Sequence, residues 1–102
     1  MPPIAILIHH KTQPGKKDEV LRVWKKHMAP AVAVNPGHVS YSYCFDNGDP
    51  DSIYAFQRYV SVEASQEFLK TESYAAYLKD VEPLLSGPPQ VTTLTPMWTK
   101  GA

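Results

Sequence analysis

Asn35-Pro36-Gly37-His38-Val39-Ser40-Tyr41-Ser42-Tyr43-Cys44-Phe45, the turn Asp46-Asn47-Gly48-Asp49-Pro50-Asp51 and the return run Ser52 to Val60 decide the fold. Val39, Tyr41, Tyr43 and Phe45 alternate with small or polar residues, the period-2 pattern of a strand with one buried face. Pro36-Gly37 punctuates the chain before it, and the Asp/Asn/Gly/Pro cluster after it supplies turn formers. The return run Ile53-Tyr54-Ala55-Phe56-Gln57-Arg58-Tyr59-Val60 is β-branched and aromatic on both parities, so its strand has no obvious wet face. The prediction is a hairpin that gathers Tyr41, Tyr43, Tyr54, Tyr59, His38 and Arg58 and forms one wall of any site.

Outward from the hairpin, the apolar run Ile4 to Ile8 reads as a central strand buried on both faces, with His9, His10 and Lys11 carrying it towards solvent. Pro14-Gly15 breaks that strand. Val20, Trp24, Met28 and Ala31 then fall at helical spacing, opposite Asp18, Arg22, Lys25 and Lys26. Pro30 sits inside this helix, which is expected to kink near Ala29 and resume weakly to Val34. Ser61 is a predicted N-cap for a second helix, with Glu63 placed against its dipole. Thr71-Glu72-Ser73 interrupts that helix, Tyr74, Tyr77, Leu78, Val81 and Leu85 resume it, and Pro83 and Gly87-Pro88-Pro89 end it. Val91 to Trp98 reads as a last strand, and Pro96 within it predicts an edge position or a bulge.

The order is β-α-β-β-α-β, an α+β ferredoxin-like plan with a four-stranded antiparallel sheet. Two helices cover one face of such a sheet. The first and third strands are apolar on both faces, so a second face needs a cover, and a second copy of the chain is the simplest one. A homodimer is therefore expected.

The chain has 102 residues, which predicts a single domain over 1–102. Ten basic side chains balance ten acidic ones, without the basic footprint of a nucleic-acid partner. The pairs Lys16-Lys17 and Lys25-Lys26 read as a solvated helix face. One cysteine makes no internal disulfide. The opening Met-Pro-Pro before Ile4 to Ile8 is too short and uncharged for a signal peptide, and no apolar run reaches a membrane span. The chain reads as a soluble cytoplasmic protein with no membrane partner.

These residues together are similar to the antibiotic biosynthesis monooxygenase (quinol monooxygenase-like) domain of the dimeric α+β barrel superfamily. The resemblance lies in the Pro14-Gly15 break and in Asn35-Pro36-Gly37 leading to a strand with Tyr41. It continues in the aromatic third strand running into Val62-Glu63-Ala64, and in Pro83-Leu84-Leu85-Ser86-Gly87-Pro88-Pro89-Gln90-Val91. Family members often carry a glutamate and a tryptophan on the third strand, where this chain has Gln57 and Tyr59. They often carry histidines on the second helix, where Phe68 and Ser73 stand here. Both replacements leave a more apolar pocket.

The resemblance implies oxygenation of an electron-rich phenol or quinol with no cofactor, neither metal nor flavin. Such chemistry needs a dry pocket, a group that stabilises a phenolate and room for O2. Arg58, Tyr41, Tyr59 and His27 are the candidate catalytic residues, offering a cation, phenolic hydroxyls and a base near its ordinary pKa. Trp24, Tyr43, Phe68 and Tyr74 are the candidate substrate-binding residues, on the parity that meets Trp24. Plain alternatives stand beside these: the tyrosines as sheet core with hydroxyls at the rim, Trp24 as helix core, His27 as a boundary residue. Arg58 and Tyr59 have opposite parity and do not share a pocket unless a bulge intervenes. His38 reads as a surface or turn residue and Cys44 as a small buried hydrophobe. His9 and His10 point to opposite faces and cannot chelate one ion. There is no His-Glu-x-x-His, cysteine pair or carboxylate cluster, so no metal site is predicted.

Three functions follow in order: a cofactor-independent monooxygenase on a small aromatic substrate, a non-catalytic dimer that binds a small apolar ligand, and a haem-binding or haem-degrading relative that needs His27 as axial ligand.

Overall fold

A computed structural model describes residues 3–101. The alternation and punctuation read above form four strands, β1 (Ile4–Lys11), β2 (His38–Phe45), β3 (Ser52–Tyr59) and β4 (Gln90–Leu94), and three helices, α1 (Lys17–Val34), α2 (Val62–Phe68) and α3 (Glu72–Val81). The strands make one antiparallel sheet in the order β2-β3-β1-β4, so β1 and β3 are central and β4 is an edge. This is the split βαβ arrangement.

Opposed residues share a sheet face, and the registers assign them. Ile6 faces Gln57, His10 faces Ile53 and Tyr41 faces Gln57, so these lie on one side. Against that side pack Val20 and Met28 of α1, Phe68 of α2 and Tyr77 and Val81 of α3, joined to Ile53 and Tyr59 in one core. Each fully buried aliphatic there contributes about 1.5–3 kcal/mol by leaving water. Ala5, Leu7, Phe56 and Arg58 lie on the other side, which no helix covers.

The chain departs from its expected course at several points, each for a local reason. α1 runs unbroken through Pro30. The missing N–H leaves only the Lys26 carbonyl without its partner, and both residues stand on the exposed side of the helix, where that loss is least costly. The second helix is two: Thr71 accepts from the Tyr74 N–H at 3.3 Å and caps α3 as a separate element. Ser61 caps α2 as expected, accepting from Ala64 N–H at 3.1 Å. β4 ends at Leu94, so Pro96 lies beyond the edge strand instead of within it. β1 continues to Lys11, and His10 is buried at 7 % exposure rather than turned to solvent. Cys44, on the uncovered face of edge strand β2, is exposed and not a core residue.

A bulge decides the start of β2. His38 opposes Tyr59 and Ser40 opposes Arg58, so Val39 is the extra residue. It turns outward at 52 % exposure, while His38 swings to the helix side. Strict alternation would have placed them the other way round. Gly37 makes the approach possible, since a Cβ there would stand 3.1 Å from Ala64 Cβ at the start of α2.

Candidate active site

Between the helices and the covered sheet face lies a cavity of about 140 Å³. Its floor is Ile6, Ile8 and His10 of β1, Tyr41 of β2, and Gln57 and Tyr59 of β3. Met28, Phe68, Tyr74 and Tyr77 roof it, and Leu69, Pro89 and Val91 stand at its margin. The hairpin therefore forms a wall, as its aromatic content predicts. No carboxylate, ammonium or guanidinium lines the space. A wider, more open groove of about 500 Å³ runs over Leu78, Leu85 and Pro88, with Glu82 as its one charged group. It offers no convergent donors.

Trp24 stands behind the floor. Its indole N–H donates to the Tyr41 hydroxyl at 3.2 Å, and its ring lies 4.7 Å from that of Tyr43. Because indole only donates, the Tyr41 oxygen is the acceptor and its own proton remains available to the cavity. Burial pushes the Tyr41 phenol up to about 12, and the Trp24 bond offsets only part of that. Burial likewise raises Tyr59, Tyr74 and Tyr77, so every phenol around the space is neutral at pH 7. The Tyr43 hydroxyl is buried beside Trp24, outside the cavity floor, without a partner among the described residues.

The remaining polar groups were not visible as a site in the sequence. Both ring nitrogens of His38 are hydrogen-bonded, Nδ1 accepting from Asn35 Nδ2 at 2.9 Å and Nε2 donating to Gln57 Oε1 at 3.0 Å. Its ring stacks obliquely 4.2 Å from Tyr59 and meets the Phe68 ring edge-on at 4.7 Å. Burial lowers its pKa, with the Gln57 bond pulling weakly the other way. Gln57, 4 % exposed, faces the cavity, and among the described residues its Nε2 amide has no protein partner. At the far end of the floor His10 is held near pKa 4 by burial and by His9 beside it.

Of the eight residues singled out from sequence, Tyr41, Tyr59, Phe68 and Tyr74 line the cavity, and Trp24 and Tyr43 back it. Arg58 lies on the opposite sheet face, as its parity requires, with Nε buried and without a partner among the described residues. His27 points away from the cavity and pairs with Asp80 at 2.7 Å across α1 and α3. His9 and His10 do face opposite ways: His9 stacks on Tyr54 at 4.6 Å on the uncovered side. Among the described residues, no group of three or more His, Cys, Asp or Glu side chains converges as a ligand set. Nor is any helix there long and apolar enough to cross a membrane.

A four-stranded antiparallel sheet roofed on one face by three helices, with an aromatic cavity between the layers, defines an α+β ferredoxin-like domain. The family model for antibiotic biosynthesis monooxygenase matches residues 3–80, and the chain belongs to that family. Its fold is similar to Rv0793 from Mycobacterium tuberculosis, with a TM-score of 0.84 at 24 % identity over 97 % of this chain and 99 % of that one. A protein from Caulobacter crescentus assigned to the antibiotic biosynthesis monooxygenases superposes with a TM-score of 0.88 at 22 % identity, covering 95 % and 92 %. A variant of SnoaB from Streptomyces nogalater, a cofactor-independent oxygenase, superposes with a TM-score of 0.83 at 14 % identity over the whole of both chains. No curated protein matches the sequence.

Proposed function

We propose that this protein is a cofactor-independent monooxygenase for a single-ring phenol or quinol, held in the cavity over Gln57 and Tyr41. The observation that carries this reading is the pairing of two uncharged donors, the Gln57 amide and the Tyr41 hydroxyl, in a lining that is mostly aromatic and aliphatic and holds no Lys, Arg, Asp or Glu side chain. Such a site binds an aromatic ring by contact and stabilises negative charge on its oxygen where water is excluded. About 140 Å³ is the size of cavity that holds one benzene ring. The likeness to a cofactor-independent oxygenase supports the same reading at the level of fold.

The chemistry balances without an added reductant. A phenolate gives electrons to O2, one oxygen atom becomes a ring carbonyl para to the first, and the other leaves as water. Phenol plus O2 thus gives 1,4-quinone plus water; hydroquinone, whose para carbon already bears oxygen, takes the atom at a neighbouring ring carbon and gives hydroxy-1,4-quinone plus water. The protein's share is to lower the cost of the phenolate, orient the ring and exclude solvent. The neutral phenols and the neutral His10 do not act as strong bases here, so the substrate enters ionised or loses its proton at the cavity mouth.

A second reading, a binding module that sequesters an aromatic molecule without turning it over, is favoured by the absence of a well-placed base. Oxygen uptake separates the two. With hydroquinone and substituted phenols in the presence of chelator, turnover that persists supports the oxygenase. Quenching of Trp24 fluorescence by the same compounds, with no oxygen consumed, overturns it in favour of the binding module. His27, tied to Asp80 outside the cavity, gives no support to a haem site.

We also infer that the working unit is a homodimer. Leu7, Phe56 and Leu94 form a partly exposed apolar stripe on the uncovered sheet face, narrower than the sequence suggests because Ser40, Ser42 and Thr92 flank it. A second copy laid over that stripe would bury it.

A further inference from the structure

We propose that His38 is a positioning residue: its Nε2–H holds the Gln57 carbonyl, so the carboxamide turns its N–H pair, and not its oxygen, to the cavity. This makes the cavity prefer an anionic phenolate oxygen over a neutral ring, and it rests on the phenol reading above.

The direction of every bond in the chain follows from one fixed donor. The backbone N–H of Gly37 can only donate, and it meets Asn35 Oδ1 at 3.2 Å. Asn35 therefore turns its Nδ2 amino group to His38 Nδ1, 2.9 Å away, which must be an acceptor. A neutral imidazole with a bare Nδ1 carries its proton on Nε2. That proton is donated to Gln57 Oε1 at 3.0 Å. The Gln57 oxygen is then occupied, and only its N–H groups are left for the cavity. Reversing the glutamine would oppose two donors at His38, and moving the proton to Nδ1 would oppose two donors at Asn35.

The surroundings keep the imidazole neutral. Tyr59, Phe68 and Tyr41 pack against it, the two tyrosines are neutral, and among the described residues no carboxylate touches the ring. Glu67 on α2 borders the surface hollow beside Asn35 and Phe68, but it is exposed and paired with Lys70 at 3.3 Å. Protonation at acid pH would put a second N–H against Asn35 and break the chain at that link. His38 does not itself line the cavity, so it acts only through Gln57.

A glutamate in place of Gln57 would change the character of this wall. A carboxylate there could accept from His38 but would present no donor to a ligand and would repel a phenolate. The amide, fixed in orientation, inverts the polarity of that wall.

The test uses the full chain and two single-ring probes: 4-nitrophenol, whose absorption separates phenol from phenolate, and nitrobenzene, which lacks the oxygen. Nitrogen-15 NMR of the histidine rings reads the tautomer directly. The expected results are an Nε2–H tautomer for His38 and binding of 4-nitrophenol as phenolate. In His38→Leu the affinity ratio of phenolate to nitrobenzene should fall about tenfold, the range of a hydrogen bond to a charged group. Asn35→Ala removes no cavity atom and should lower the ratio in the same direction while leaving His38 as a mixture of tautomers. Gln57→Glu should raise the His38 pKa and abolish phenolate selectivity. An Nδ1–H tautomer in the wild-type protein, or an unchanged ratio in both His38→Leu and Asn35→Ala, overturns the positioning role alone. Failure of both probes to bind the wild-type cavity overturns the phenol reading, and the positioning role with it.

Discussion

His10 is held neutral by burial and, to a lesser extent, by the neighbouring His9, with a pKa lowered from 6.5 to about 4. Below pH 6.5 the unfolded chain takes up a proton that the folded chain refuses until about pH 4. The stability associated with this residue is thus complete above pH 6.5 and is lost as pH falls through that window. The loss reaches about 3 kcal/mol at its lower end. His38, also lowered, acts in the same sense. Urea unfolding at pH 7 and pH 4.5 should show this loss in the wild-type protein and a smaller one in His10→Leu. An equal loss in both would remove His10 as the cause. Neither histidine was legible as a site residue, and for different reasons. His10 follows an apolar run and looks like its solvent-side end, although the strand continues one residue further. His38 has the parity of an outward residue, and only the bulge at Val39 brings it in. Bulges leave little trace in an alternation pattern, and Pro36-Gly37 hints only that the backbone there is unusual. Tyr41 and Tyr59 fall on the covered face as alternation along β2 from Ser40 and along β3 requires.

At the level of elements, helices and hairpin were readable because their signals are local. Period 2 gives way to period 3.6 from Lys16, turn residues fill Asp46 to Asp51, and a hydroxyl cap stands at Ser61. The split between α2 and α3 illustrates the limit. Sequence shows an interruption at Thr71-Glu72-Ser73, but the Thr71 side chain turning back to Tyr74 N–H makes it a fresh helix start that tilts Tyr74 over the cavity. Thr71→Ala should cost about 1 kcal/mol of unfolding free energy. It should also loosen Tyr74, read as faster exchange of the first amides of α3. No change in either measurement would mean the cap is idle. Pro30 was misread as a kink because its missing N–H falls on the solvent side of α1; Pro96 pointed correctly to an edge strand, but that strand ends at Leu94, before the proline.

For the whole molecule, the strand order and the layer of helices on one face followed from the β-α-β-β-α-β sequence of elements. The character of the other face did not follow so cleanly. β1 and β3 are apolar on both parities, yet their neighbours contribute serines and a threonine, and Arg58 stands among them. Light scattering on the eluting protein should give twice the chain mass, and Phe56→Glu should shift it towards the single chain. A monodisperse monomer at micromolar concentration would contradict the dimer. The parity that separates Arg58 from Tyr59 puts two candidate catalytic groups on opposite sheet faces, and it gives the most direct test of where the chemistry sits. The measurement is the initial rate of oxygen uptake with hydroquinone in Gln57→Leu and Arg58→Ala, each beside the wild type. The cavity account predicts a loss of about ten- to a hundredfold in Gln57→Leu, as for a hydrogen bond to a charged group, and a near-wild-type rate in Arg58→Ala. A rate that survives in Gln57→Leu and collapses in Arg58→Ala would place the reaction on the uncovered face and contradict it.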